Sequence, residues 1–492
     1  MLSRRALISH GATAIALASA SVPGLRRLVA RASRVRRNAN AMGPDDPDLM
    51  ALREFVEVMR ARPATHPAGW RAFAALHGEG TEFGICQHQN WFFLPWHRAY
   101  LEMYERAVAE LTYQHAFALP YWDWTTLRTF PPAFTAPTYR GRPNALYAPG
   151  VGDAGQGTRT PGLRLPDTAV GPATMQRVMS EADFELFASS RPVDTTVTPP
   201  RPQDSIDRKW LDRTGTFGAL EQVPHNQVHR LSGGFMATPA SARDPLFQVH
   251  HCNVDRLWVH WNARGHANPS ERIWLDMPFP DHFISPGGRR YTRRVRDLLS
   301  TTALGYVYDD APRAVRPAPD PARSTRVQAL LAGAADASGL RRMQVANVPA
   351  GRAGAPLMVE VPLQDDPLLA QGGQLPSGSI IAVIRAVHSD PGVQGMRVFV
   401  NLDTAADSVP DSDPHFVASI AFLGGTHRHA GHHRGPPSFA VDLTPALRAL
   451  SGRGLLHSDR LTLQLVPLFA PTADAGHEGG TILPASVDIG VL

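Results

Sequence analysis

Three runs of the sequence concentrate histidine at spacings that metal ions use. They are LHGEGTEFGICQHQNWFFLPWHRAY (76–100), PHNQVHRLSGG (224–234) and DPLFQVHHCNVDRLW (244–258). His225 and His229 stand four apart, which on a helix is about 6 Å of rise along one face and lets both imidazoles reach one ion. Pro224 suits a helix start just before them, and Gly233-Gly234 suits its end. His250-His251 opens a second helical run that also carries Asp255 and Trp258. Consecutive helical side chains point about 100° apart, so only one of that pair is expected to ligate. In the first run, His77, His88 and His97 complete a three-plus-three set. All-imidazole coordination suits Cu, Zn, Ni or Fe. No Asp or Glu lies within the ligand spacing as an HExxH motif or a two-His-one-carboxylate site would require. Two three-histidine clusters facing each other leave open positions on each metal, which fits dioxygen chemistry better than hydrolysis.

Helices must carry these residues. PDLMALREFVEVM (47–59) places Leu49, Leu52, Phe55 and Val56 at helical spacing, and Trp70 to Leu76 suits another helix. A third is expected over Trp91 to Leu111, interrupted at its beginning by Pro95, followed by helices over 225–230 and from Pro245 or Val249 to Trp261. Thr129 to Lys209 is rich in Pro, Gly and Thr and reads as a surface excursion with short helices only. After about residue 340 the period changes. GMRVFVNL, HFVASIAFL, SFAVDL, LTLQLVPLF and ILPASVDIGVL are short apolar or alternating runs separated by Gly, Asp and Pro, as in an antiparallel sandwich or barrel. The expected organisation is a signal at 1–24, a linker at 25–45, a mainly α metal domain at 46–310, a linker at 311–344, and a β-rich domain at 345–492.

With 492 residues there is ample core for two domains, and two cysteines cannot make a disulfide framework. A formal charge of +5, without a recognition helix or finger spacing, argues against nucleic acid as a partner. Arg4-Arg5 before an Ala-rich apolar run, with Ala18-Ser19-Ala20 as a cleavage pattern, resembles a twin-arginine export signal and implies a periplasmic or extracellular protein. That run is short and carries His10, so no permanent membrane span is expected. A homo-oligomer is left open. THRHAGHHRG (426–435) reads either as a copper-gathering or capping element or as a solvated loop.

The histidine runs resemble the two copper-binding motifs of the tyrosinase, polyphenol oxidase and molluscan-type haemocyanin family. The first matches as His77-Gly78, Cys86-Gln87-His88 and Pro95-Trp96-His97-Arg98. The second matches as His225-Asn226-x-Val228-His229 and Asp244-Pro245-x-Phe247-x-x-x-His251-x-x-x-Asp255-Arg256-x-Trp258. Gln248 departs from the usual apolar residue after the DPxF run. LPYWDW (119–124) and LGYVYDD (304–310) also look like landmarks of the family core.

The resemblance implies a four-helix bundle holding two copper ions (a type 3 binuclear centre). His77, His88 and His97 would serve one copper and His225, His229 and His251 the other, with dioxygen as co-substrate and small phenols as substrates. It implies a thioether between Cys86 and His88, and a water held by Glu221 and Asn226 that takes the proton of an incoming phenol. Arg230 stands at a position associated with substrate choice. Asp255, one turn after His251, is expected to orient a ligand helix or to pair with Arg98 or Arg256. MRVFVNL and VASIAFLG are similar to the C-terminal domain of plant-type polyphenol oxidases, which caps the copper site. The implied activity is ortho-hydroxylation of monophenols and oxidation of o-diphenols to o-quinones. The alternatives are a catechol oxidase, an o-aminophenol oxidase, or a haemocyanin-like oxygen-binding protein.

Overall fold

The computed structural model describes residues 34–148, 162, 164–313, 315, 317–333, 340–345, 348–349, 354–362, 375–404, 408–423, 435–456, 460–469 and 480–492. The expected export signal at 1–24 and the histidines at 427, 429, 432 and 433 lie outside the described residues.

Helix α1 (Pro47–Ala61) begins as its sequence dictates. Asp46 caps it by accepting from the amide of Asp48, Pro47 occupies the first helical position, and Leu49, Leu52, Phe55, Val56 and Met59 form its buried face. Helix α2 (Phe93–Leu111) is buried along most of its length. Pro95 lies in its first turn, where a missing N–H costs no intrahelical bond, so it does not interrupt the helix. Helix α3 (Asn226–Ser232) starts earlier than Pro224 suggested. A π-helical turn, Glu221–His225, runs directly into it with Pro224 inside. The continuous helix already begins at Ala219, so Pro224 is its sixth residue, and the π-helical turn accommodates a residue with no N–H to give. Helix α4 (Leu246–Ala263) is fixed at its start by Asp244, whose carboxylate accepts from the Leu246 amide.

Both segments expected to be linkers contain structure. Strand β1 (Arg34–Arg36) lies within 25–45, and helix α5 (Pro321–Ala332) lies within 311–344. Asp320 caps α5, and Gly333 ends it at φ +74, a left-handed conformation that glycine adopts without strain. The described chain is therefore mixed α and β rather than mainly α.

The strands that build the sandwich and tie it to the helices are β2 (Thr216–Phe217), β3 (Tyr306–Tyr308), β4 (Arg341–Val345), β5 (Leu357–Pro362), β6 (Ile380–Arg385), β7 (Val393–Val400), β8 (Phe416–Ala421), β9 (Ser438–Asp442), β10 (Arg460–Phe469) and β11 (Ser486–Val491). β1 pairs in parallel with β3. One sheet has the order β4-β11-β6-β9-β2 and the other β5-β10-β7-β8. Ala382, Ile384, Val487 and Ile489 of the first sheet share one core with Val359, Met396, Val398, Leu463 and Leu465 of the second. This is the face-to-face packing of a β-sandwich.

The first sheet borrows β2 from the histidine-bearing part of the chain. β2 runs parallel to β9, and Phe217 stacks on Phe439 at 5.2 Å. Side-chain amides of the π turn and α3 then reach the sandwich. Gln222 donates to the Ala440 carbonyl (2.6 Å), Asn226 to the Ala421 carbonyl (3.1 Å) and Gln227 to the carbonyl and hydroxyl of Ser419 (both 3.2 Å).

Beneath the helices lies a buried cluster of four charges. Arg36, fully enclosed, grips Glu105 of α2 through two bonds of 3.2 Å and reaches Asp255 of α4 at 3.3 Å. Arg98 of α2 donates to the other oxygen of Asp255 at 2.5 Å and lies over the Trp258 ring. Tyr306 and Tyr308 of β3 donate to Asp255 at 2.7 and 2.6 Å. Burial opposes ionisation of Asp255, but Arg98 and Arg36 hold its carboxyl below the usual carboxylate range. Breaking one partner of a buried pair strands the rest, so Asp255→Asn should lower unfolding free energy by about 3–5 kcal/mol. Urea denaturation at neutral pH checks this, and an unchanged midpoint would show that the cluster is not holding α2 against α4.

Candidate metal centre

His97 sits on the first turns of α2, His225 and His229 span the π turn and α3, and His250 and His251 lie on α4. His77 and His88 come from the connection between the Trp70–Ala74 helix and α2. The fold brings all seven together and buries them, none more than 5% exposed. His97 and His251 stack at 4.3 Å, His77 and His88 meet edge to face at 5.0 Å, and His225 approaches His229 at 4.7 Å. Potential ligand atoms fall within 4.8 Å of one another in three overlapping groups: His225, His229, His250 and His251; His77, Cys86 and His88; and His77, His97 and His251.

The Nδ1 atoms explain the orientation of the rings. His77 Nδ1 is held at 2.8 Å by the Pro239 carbonyl, His97 Nδ1 by Phe93, four residues back on α2, and His229 Nδ1 by Met236. His225 Nδ1 faces Asn226 Oδ1 at 2.8 Å. An oxygen at Nδ1 takes the ring proton and leaves the Nε2 lone pair free, which is how proteins prepare histidine for a metal. The Nε2 atoms of His97 and His225 are buried with no hydrogen-bond partner among the described residues, and the Nε2 atoms of His229 and His251 meet at 3.2 Å. Gly78 makes the His77 anchor possible, because a Cβ there would lie 2.5 Å from the Pro239 oxygen.

The other sequence-predicted residues are placed as follows. Cys86 donates to the His77 carbonyl at 2.9 Å, and its sulfur lies 3.2 Å from His88 Nδ1. Burial pushes the Cys252 thiol up to about 12. Glu221 is fully buried and accepts from the Gln89 amide and the Ser189 hydroxyl. Asn226 is engaged by His225 and Ala421. Arg230 is partly buried and donates to Gln227. Asp255 pairs with Arg98 and not with Arg256, which binds Asp310 and Asn253 instead.

Sequence reasoning missed the partners of Glu221, namely Gln89 and Ser189. It expected only one of His250 and His251 to ligate, and the fold brings both rings into the cluster, 5.1 Å apart. The 100° offset between neighbours is real, but His225 and His229 approach α4 from a side that meets both rings.

Burial, reinforced for several rings by the neighbouring imidazoles, holds His97, His225, His229, His250 and His251 neutral. His97 falls to about 3, His229 to about 4, and His225 and His251 lie well below the ordinary histidine value. In the unfolded chain these groups protonate near pH 6.5. Between that pH and about 4 the unfolded state thus binds more protons, and stability of the metal-free protein falls as pH falls. Each neutral imidazole contributes up to about 1.4 kcal/mol per pH unit in that window. Urea midpoints of metal-free protein at pH 7 and pH 5 check this, and equal midpoints would contradict it.

Residues 67–264 match the family model described as the common central domain of tyrosinase. Tyrosinase HcTyr1 of Hahella sp. (strain CCB-MM4) is 27% identical over 460 residues, covering 84% of this chain and 91% of that one. Chloroplastic catechol oxidase B of Solanum tuberosum is 25% identical over 414 residues, covering 77% of this chain and 63% of its own length. The chain spans about half of other plant relatives, such as 52% of the aureusidin synthase of Antirrhinum majus. Among solved structures, latent aurone synthase (a polyphenol oxidase) from natural source has a TM-score of 0.62 at 20% identity, covering 96% of this chain and 92% of that one. Latent apple tyrosinase has a TM-score of 0.58 at 22% identity, covering 94% and 96%. These two likenesses bear on the fold. The central-domain match identifies residues 67–264 as a tyrosinase central domain, and the relatives, together with the histidine geometry, support the tyrosinase and polyphenol oxidase family of enzymes.

Proposed function

We propose that this chain is a copper-dependent phenol oxidase, with one copper held by His77, His88 and His97 and a second by His225, His229 and His251. The observation that carries the reading is the convergence of buried imidazoles, four of which present Nδ1 to oxygen, with potential ligand atoms within 4.8 Å of one another. Such a donor set fits copper, which takes imidazole readily, and offers no carboxylate for a hydrolytic or iron site. A four-helix bundle around the pair belongs to the same proposal. When bound, the copper pair supplies two-electron exchange with dioxygen.

The chain's own residues do the rest. A catechol gives up two electrons and two protons to become an o-quinone, and the oxygen is reduced to water, two catechols per dioxygen. A phenol with a pKa near 10 must lose its proton to bind as phenolate, so a nearby acceptor matters. Glu221 and Asn226 fill that role in this reading by positioning a water. Glu221 is held rigid by Gln89 and Ser189, while the Asn226 amide is given to the Ala421 carbonyl. The β-sandwich is accordingly proposed to cap the site, and Asn226 serves the water once that contact is released. Arg230, one residue beyond His229, would favour acidic phenols. A Cys86–His88 thioether would fix the His88 ring, and the sulfur already lies beside that ring. The Arg4-Arg5 pattern supports export of the folded chain by the twin-arginine route.

Oxygen uptake with catechol should vanish on chelation and return with copper but not with zinc. His97→Ala should retain one copper per chain and lose turnover. Uptake that persists after chelation contradicts the reading. Asn226→Ala should lower monophenol hydroxylation about a hundredfold while leaving catechol oxidation within about threefold. Absence of hydroxylation of any monophenol in a fully activated wild-type protein would reduce the activity to catechol oxidation.

A further inference from the structure

His250 is the imidazole that the proposed ligation leaves over. It is fully buried. Its ring stacks on His225 at 5.4 Å and lies edge-on to His229 at 4.7 Å. One of its nitrogens falls within 4.8 Å of ligand atoms of His225, His229 and His251.

Its hydrogen bonding runs opposite to theirs. His225 and His229 present Nδ1 to oxygen, whereas His250 Nδ1 accepts the indole N–H of Trp124 at 3.2 Å. An indole nitrogen only donates, so Nδ1 of His250 carries the lone pair and the neutral ring has its proton on Nε2. A protonated ring nitrogen cannot bind a metal; it can only donate. His250 Nε2 is buried with no protein partner among the described residues. A buried donor of this kind calls for an acceptor that arrives from outside the chain.

We propose that His250 is a positioning residue whose Nε2–H donates to an oxygen-bearing or anionic ligand entering beside the metal held by His225, His229 and His251. Trp124 locks the tautomer that makes this possible. LPYWDW thus supplies more than a packing landmark: Trp124 decides that one of two adjacent histidines is a donor. The inference rests on the copper reading above.

Azide titrated into the copper-loaded full-length chain, followed by its optical absorption, tests the donor. His250→Phe should keep two coppers and weaken azide binding about tenfold. His250→Gln, which restores an N–H, should recover binding to within about threefold of wild type. Trp124→Phe frees Nδ1 and should weaken azide a few-fold with copper content unchanged. In metal-free wild type labelled with ¹⁵N-histidine, His250 should show the Nε2–H tautomer and His225 and His229 the Nδ1–H tautomer. That measurement decides the matter if His250→Phe does not fold. A proton on Nδ1 of His250, loss of one copper in His250→Phe, or unchanged azide affinity with both coppers present would each overturn the proposal. Wild-type protein that takes up no copper while His250 keeps its Nε2–H tautomer would instead contradict the copper reading itself.

Discussion

The structure depends on a buried, charge-balanced knot of Arg36, Arg98, Glu105 and Asp255. It joins three segments distant in sequence: β1, α2 and α4. Arg98 follows His97, and Asp255 stands one turn beyond His251, so closing the knot fixes the distance between two histidine-bearing helices. The stacked rings of His97 and His251, 4.3 Å apart, express that distance. Ionised groups are costly to bury, and these persist because every charge has an opposite partner and the tyrosines of β3 satisfy the remaining carboxylate oxygen.

On that frame, backbone carbonyls settle which nitrogen of each histidine faces inward. Pro239, Phe93 and Met236 hold Nδ1 of His77, His97 and His229, and burial keeps the His97 and His229 rings neutral. Neutral rings with inward lone pairs are what a borderline metal needs. Trp124 reverses the pattern at one ring, so a donor stands among acceptors. The same helix that bears His225 and His229 also gives its outward amides, Gln222, Asn226 and Gln227, to the β-sandwich. The histidine cluster and the sandwich therefore share a structural element, and displacement of one bears on the other.

Much of this was legible in the sequence. Histidine spacing identified the clustered residues, apolar periodicity found α1, α2 and α4, and alternation found β7 to β11. What escaped notice depends on long-range partners. Arg36 lies in a segment that reads as linker, and only Glu105 and Asp255, 69 and 219 residues away, make its burial tolerable. Helix α5 is hidden by flanking prolines, although Asp320 and Gly333 supply its caps. The π turn at Glu221–His225 has no signature beyond a proline that suggests a later start. His250 was set aside by a correct rule about helical offset, since no local pattern says where the other rings approach from.

The account's central claim is a pair of coppers on six of seven clustered imidazoles. Crystals of the copper-loaded protein, measured for anomalous scattering at the copper edge, test it directly. The account predicts two peaks, one ligated by His77, His88 and His97 and the other by His225, His229 and His251, with His250 Nε2 unligated. A single peak, or a peak that takes His250 as a ligand, would contradict it.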